Sequence, residues 1–457
     1  MADPVDELPA EIRALVQSIL EREVAGGSER FKTSGDRSGL EGQKKISAMM
    51  QKAGVGKSDP LWKRTNEYGK QLYYGKAVPA PRTRVPTTPS TDLNEGPAYT
   101  KGESFRARAE ALARKFRVSD LRVGHAEYGH WLEESAANAG RTFLHPAALA
   151  AAEARAARGK GVDRERTFKN MLSSQAFCFN LFGPLAHDPS GVTVASLLFS
   201  AFIPDLVRVR SIEIEYTPAF EIFRDQSGRA GVDCDVLIEF ENASDQFCVL
   251  VIETKFVEEA FSDCSHRRRN ECPTDVIVGS SFSGCRYASK NNFAYWQRTA
   301  ESRSLHLPIV ERNGCPFGGP LWQIWVNHTL AHAEAKRRGA ARAVFAVCAP
   351  EGNEVLQARA RLDDYRTLAA DPQTVVFLSL ERLLDRLVEL CASRDAWRNW
   401  ALSLRKRYAV TEPNASTEGP KARKSRGAAT VGHSRVVAWM ATPMFRELVA
   451  VHQAALG

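Results

Sequence analysis

Asp235 precedes Glu253 by eighteen positions, and Thr254 and Lys255 follow Glu253 directly. Two carboxylates and an ammonium group are what a protein needs to hold a divalent cation and act on a water beside it. The run Phe247-Cys248-Val249-Leu250-Val251-Ile252 leads into this triplet and has the composition of a strand buried on both faces. On a strand, Glu253 and Lys255 share a face while Thr254 points the other way. An acid and a base at the tip of a buried strand are costly unless they are paired or used.

Residues 232–240 read as the neighbouring strand. Val232, Cys234, Val236, Ile238 and Phe240 alternate with Asp233, Asp235, Leu237, Glu239 and Glu241, so one face is apolar and the other largely acidic. If the two strands pair, Asp235 comes close to Glu253. Carboxylates that close repel, and one takes up a proton near neutral pH unless a cation sits between them. Mg²⁺ suits such oxygen ligands, and Mn²⁺ can substitute. Lys255 would then stand beside the metal, orienting a water or neutralising charge on a phosphate. Asp233 shares the acidic face and is the rival to Asp235.

Asp235 and Glu253-Thr254-Lys255 behind an apolar strand resemble the signature of the PD-(D/E)XK nuclease superfamily, with Cys234 where the motif's name has proline. Residues 168–185, FKNMLSSQAFCFNLFGPL, are similar to a segment of a bacterial restriction-endonuclease-like branch of that superfamily. The resemblance covers residues 164–348. It implies an α/β fold, a restriction-endonuclease-like core in which a helix leads into a mixed central sheet flanked by helices. It implies a metal held by Asp235, Glu253 and the Thr254 carbonyl, with Lys255 assisting the attacking water. It favours Asp235 over Asp233, because Asp235 opens the apolar part of its strand. It also implies a polar residue of the leading helix near the metal, for which Gln175 is the candidate, an ordinary buried amide being the alternative. Gln323 and Asn327, one helical turn apart, are further candidates to assist, against a purely structural role.

The nine cysteines divide by context. Cys178, Cys234, Cys248, Cys348 and Cys391 lie in apolar stretches and read as buried thiols. Cys264, Cys272, Cys285 and Cys315 lie in a polar stretch with His266 nearby. They are candidates for zinc, or for the iron–sulfur cluster that the resemblance allows. Their spacing is long and irregular without a Cys-x-x-Cys pair, so reduced thiols are the favoured reading.

A chain of 457 residues exceeds one ordinary core, and net charge +8 with pI near 9.0 suits a polyanionic partner. The opening MADPVDELPAEIRALVQSIL has no basic region ahead of an apolar stretch, so no secretory signal is expected. No apolar run approaches ~18 residues, so no membrane span is expected and the anticipated location is cytoplasmic.

Residues 1–76 read as an N-terminal helical and polar region, with a first helix at 9–24. A Pro/Thr/Ser-rich linker follows at 77–100, then a helical accessory region at 101–163. The nuclease-like core is expected at 164–410, led by one helix over 164–184 that Gly183-Pro184 should end. Strands are expected at 207–216, 232–240, 247–256, 343–348 and 375–378, and helices at 288–300 and 322–338. Leu380, Leu383, Leu384, Leu387 and Val388 mark a further amphipathic helix. A basic, poorly ordered linker at 411–434 carries Lys421, Arg423, Lys424 and Arg426, ahead of a helical segment at 435–457.

Arg267-Arg268-Arg269 is a candidate contact to a phosphate backbone, although such runs are often merely solvated. The expectation is a metal-dependent nuclease that hydrolyses phosphodiester bonds of DNA, of the restriction-endonuclease type. Cutting both strands would favour a homodimer. One alternative is a non-catalytic protein of the same fold that binds nucleic acid or a partner. Another is an RNA-directed nuclease in which Tyr287, Phe293, Tyr295 and Trp296 stack on unpaired bases.

Overall fold

A computed structural model describes residues 93–159, 161–225, 232–272, 284–307, 310 and 315–410. Outside them lie the expected helix at 9–24, the Pro/Thr/Ser-rich linker up to residue 92, and most of the 224–229 loop. The basic segment from Lys421 to Arg426 and the final helical segment lie outside them too.

The described residues fall into two units. The first contains residues 93–99, 114–142 and 163–171. Its buried Arg117 donates from Nε to the Gly129 carbonyl at 2.8 Å and from Nη1 and Nη2 to the carbonyls of Val123 and Asn94 at 2.5 Å each. One guanidinium fork thus ties together three loop carbonyls that have no place in a ladder.

The second unit holds the sheet. Its helices begin with α1 (Phe105–Phe116), which continues into the first unit by its last three residues, α2 (Pro146–Ala157), α3 (Ser174–His187) and α4 (Gly191–Phe199). The stretch expected as one helix over 164–184 is two. A short helix, Arg164–Lys169, stops at Asn170, which turns extended and bridges to Trp131. The Ser173 side chain then accepts from the Ala176 amide and starts α3 anew. Gly183-Pro184 does not end α3 either. Pro184 has no N–H for the Asn180 carbonyl four residues back, and the Trp400 indole donates to that carbonyl instead, at 2.9 Å.

The sheet has five strands in the order β1-β2-β3-β4-β5: Leu206–Tyr216, Cys234–Asn242, Phe247–Thr254, Arg342–Ala349 and Val375–Ser379. β1, β2 and β3 pair antiparallel, and β3, β4 and β5 pair parallel, so the sheet is mixed as expected. Val232 and Asp233 precede β2, and the expected third strand stops two residues early. The face of β2 read as acidic is not left to solvent. Leu237 is fully buried, Glu239 meets Arg338 at 2.6 Å, and Glu241 is paired with Arg208 and Arg210.

The helix expected over 288–300 is also interrupted. Asn292 takes a left-handed conformation (φ 56°), separating a short turn at Arg286–Ser289 from α5 (Tyr295–Ser302). α6 (Leu321–Arg338) packs on β3 and β4 and ends at Gly339 (φ +71°). Ile324, Trp325 and Leu330 of α6 share a core with Val249, Val251 and Phe345 of the sheet. The described residues end with α7 (Ala358–Arg366), α8 (Leu380–Cys391) and α9 (Asp395–Tyr408), and the apolar residues predicted for α8 are buried except Val388, which is partly exposed.

Candidate active site

β2 and β3 stay in register up to Val236 opposite Ile252, so Asp235 and Glu253 are the next facing positions. On its other side β2 pairs Ile214 with Val236 and Tyr216 with Cys234, which sets Glu215 level with Asp235. Three carboxylates therefore stand abreast on adjacent strands at one end of the sheet.

Each carboxylate has its own fixing. Asp235 Oδ2 accepts from both the Thr254 amide and the Thr254 hydroxyl, at 2.6 Å each. Glu253 is 4% exposed and held from three directions. Its Oε1 accepts from Lys255 Nζ at 2.7 Å and Gln323 Nε2 at 2.6 Å, and its Oε2 from Asn327 Nδ2 at 2.7 Å. Gln323 and Asn327 occupy one face of α6, and the packing of α6 on β3 brings them there. Lys255 extends the parallel ladder, donating its amide to the Cys348 carbonyl at 2.9 Å. Gln323 in turn accepts from the Ser262 amide at 3.0 Å.

The charges are unbalanced toward the negative. Burial, then the charge of Asp235, push Glu253 up to about 7, against Lys255 and Asn327. Burial raises Asp235 as well, against Lys255 and the Thr254 hydrogen bonds. Burial and Asp235 push Glu215 up to about 8, against Gln175 and Arg155. Burial alone would lower Lys255, but Glu253, Glu258 and Asp235 outweigh it and keep the ammonium charged.

This donor set fits a hard divalent cation. The carboxylates crowd one another, and Asp235 Oδ1 carries no hydrogen bond among the described residues while Oδ2 is fixed. Among the described residues no group of three or more His, Cys, Asp or Glu is arranged to hold a metal ion. Asp235, Glu253 and the Thr254 carbonyl are the residues that would hold one here.

The other candidates lie as follows. Gln175 donates to the Gly161 carbonyl at 2.6 Å and hydrogen-bonds Glu215, the outermost carboxylate. Asp233 lies just before β2, beside the cleft that Gln323 and Asn327 line. Arg268 and Arg269 are exposed, Arg269 pairing with Glu271 at 2.7 Å, while the Arg267 stem lies against Gly318. Cys264, Cys272, Cys285 and Cys315 are near enough to influence one another's thiols, burial pushing Cys315 up to about 12. All four are free.

Glu215 was missed in the sequence. It follows Glu213 at a strand's two-residue spacing and reads as a second solvated acid, yet only Glu213 is exposed. A left-handed backbone at Glu215 (φ 53°) turns this position off the regular strand. Level register with Asp235, once β1 is paired with β2, is the signal that finds it.

A profile of the PD-(D/E)XK nuclease superfamily matches residues 103–283 and 310–410, more than half of the chain. The chain belongs to the PD-(D/E)XK nuclease superfamily. Comparisons with curated proteins and with solved structures gave no match. The match covers β1 to β5 and with them Asp235, Glu253 and Lys255 of this superfamily member. No helix among its described residues is long and apolar enough to cross a membrane.

Proposed function

We propose that this protein is a metal-dependent endonuclease of the restriction type, hydrolysing phosphodiester bonds of DNA by direct attack of water on phosphorus. The observation that carries this reading is the fixed arrangement of Asp235, Glu253 and Lys255, with Asp235 pinned by Thr254 and Glu253 by Gln323 and Asn327. A divalent cation such as Mg²⁺, or Mn²⁺ in its place, held by Asp235, Glu253 and the Thr254 carbonyl would supply Lewis acidity and make bound water acidic.

The chain's own groups set the geometry. Lys255 is kept protonated by the carboxylates around it, so it serves as a donor that orients the attacking water and offsets charge on the phosphate. Thr254 holds Asp235 Oδ2 and leaves Oδ1 open. Gln323 and Asn327 hold Glu253 against rotation, which matters because a displacement of ~1 Å can cost about 100-fold in rate. Arg268 and Arg269 offer cations to the flanking backbone. A homodimer acting in the cytoplasm would place two such centres on the two strands.

The test is cleavage of closed circular DNA with Mg²⁺ by the parent and by Glu253→Ala and Lys255→Ala. The parent should nick or linearise the circle, and each variant should lose at least about 100-fold in rate while still binding DNA. A variant that cuts at the parental rate removes the assignment. A parent that neither cuts nor binds Mg²⁺ calorimetrically marks a non-catalytic member of the fold.

A further inference from the structure

Gln323 and Asn327, whose amides hold Glu253, also line a cleft of about 380 Å³. Aromatic rings line it as well. Tyr287 stacks on Trp322 with centroids 4.6 Å apart and planes 18° from parallel, and on Phe293 at 5.7 Å and 20°. These three rings are partly exposed, whereas Tyr295 and Trp296 are buried in the core. Hydrogen-bonding groups stand at the same cleft. Asn291 is exposed and has its Oδ1 2.8 Å from His266 Nε2, which leaves its NH₂ as a donor. Asp233 supplies a carboxylate and Arg269 a cation.

Flat aromatic surfaces beside amide, carboxylate and guanidinium groups recognise a nucleobase, stacking on its face and reading its edge. Ligand pockets run from ~300 to ~1,000 Å³, and one at the lower end suits a single ring system. A base pair within a duplex keeps both faces covered by its neighbours and cannot enter. We propose that this cleft takes one unpaired nucleobase of the nucleic acid whose phosphate lies at Asp235 and Glu253. This deepens the nuclease reading and rests on it. The base comes from a single strand, or is turned out of a duplex at a weakened pair. The shared amides couple the two places, because Gln323 and Asn327 touch both Glu253 and the occupant of the cleft.

Binding with Ca²⁺ in place of Mg²⁺, which still offsets the carboxylates for the incoming phosphate, tests the proposal apart from catalysis. Anisotropy would compare a labelled single strand, the fully paired duplex and a duplex with one mismatch, using the parent, Trp322→Ala, Trp322→Phe and Phe293→Ala. Loss of a stacking platform should weaken single-strand binding by about 5- to 100-fold, and paired-duplex binding by no more than about twofold. Trp322→Phe keeps a ring and should stay near the parent, while retained paired-duplex affinity in the alanine variants separates lost stacking from misfolding. A mismatched duplex that follows the single strand identifies an extruded base, and one that follows the paired duplex identifies single-stranded substrate. Unchanged single-strand affinity in both alanine variants, or equal losses on all three DNAs, overturns the cleft. If the parent still cuts circular DNA in that event, the nuclease reading stands alone. If the parent binds none of the three DNAs and cuts nothing, both readings fall.

Discussion

Glu253 shows how side chains from distant parts of the chain define one chemical group. Its carboxylate is fixed by Lys255 two residues on and by Gln323 and Asn327 about seventy residues on. The local partner was legible, because a strand's repeat puts Glu253 and Lys255 on one face. The distant ones were legible as a helical pair that could assist at the site, without Glu253 being identified as the group they hold. A second buried polar group lies on the same helix. His328 Nδ1 is 2.9 Å from the Tyr365 hydroxyl and its Nε2 3.1 Å from His332 Nε2. Burial lowers both imidazoles, His332 to about 4. Both gain protons more readily unfolded than folded, so their stabilisation is complete above pH ~6.5 and is lost as pH falls, for His332 toward about 4. Urea midpoints should therefore drop between pH 7 and pH 4.5, and His332→Gln should flatten that slope by at most ~1.4 kcal/mol per pH unit. An unchanged slope in the variant would show that these histidines do not govern it.

At the scale of elements, α3 shows why local signals mislead. Gly-Pro is a sound stop signal, yet Gly183-Pro184 sits inside the helix. A Cβ on Gly183 would lie 2.6 Å from Ala148 Cα, so glycine allows α2 to approach closely. Pro184 is tolerated because Trp400 of α9 satisfies the Asn180 carbonyl, while the Asn180 side chain accepts from the Leu144 amide at 2.7 Å and donates to the Tyr408 hydroxyl at 3.0 Å. Trp400→Phe keeps the ring but deletes the donor, and should lower unfolding free energy by about 1–3 kcal/mol in urea titration. An undiminished midpoint would mean that the carbonyl finds another partner. The strand positions, by contrast, followed the sequence closely, because uninterrupted apolar runs such as Val249–Ile252 have no stable place except between two covered faces.

At the scale of the molecule, net charge +8 favours a polyanion irrespective of its sequence. Affinity for DNA should fall linearly with the logarithm of salt concentration. Arg268→Ala and Arg269→Ala should each reduce that slope by about 1 if the residue meets phosphate. Slopes equal to the parent's would assign these arginines to solvent and, for Arg269, to its pair with Glu271. The same chain also carries three level carboxylates, which repel the polyanion that the overall charge attracts. On the proposed reading, a divalent cation at Asp235 and Glu253 would offset that repulsion locally and would make substrate binding at the centre more metal-dependent than binding to the rest of the surface.

The sequence by itself determined the strands, the mixed α/β class and the Asp235 and Glu253-Thr254-Lys255 constellation, since each follows from short-range periodicity and from the cost of burying charge. Tertiary structure decided which groups complete that constellation. Glu215 joins it through register across β1 and β2, and Gln323 and Asn327 through the packing of α6 on β3. Neither relation leaves a mark in the sequence near Asp235, because register and helix packing are set by the whole core rather than by neighbours along the chain.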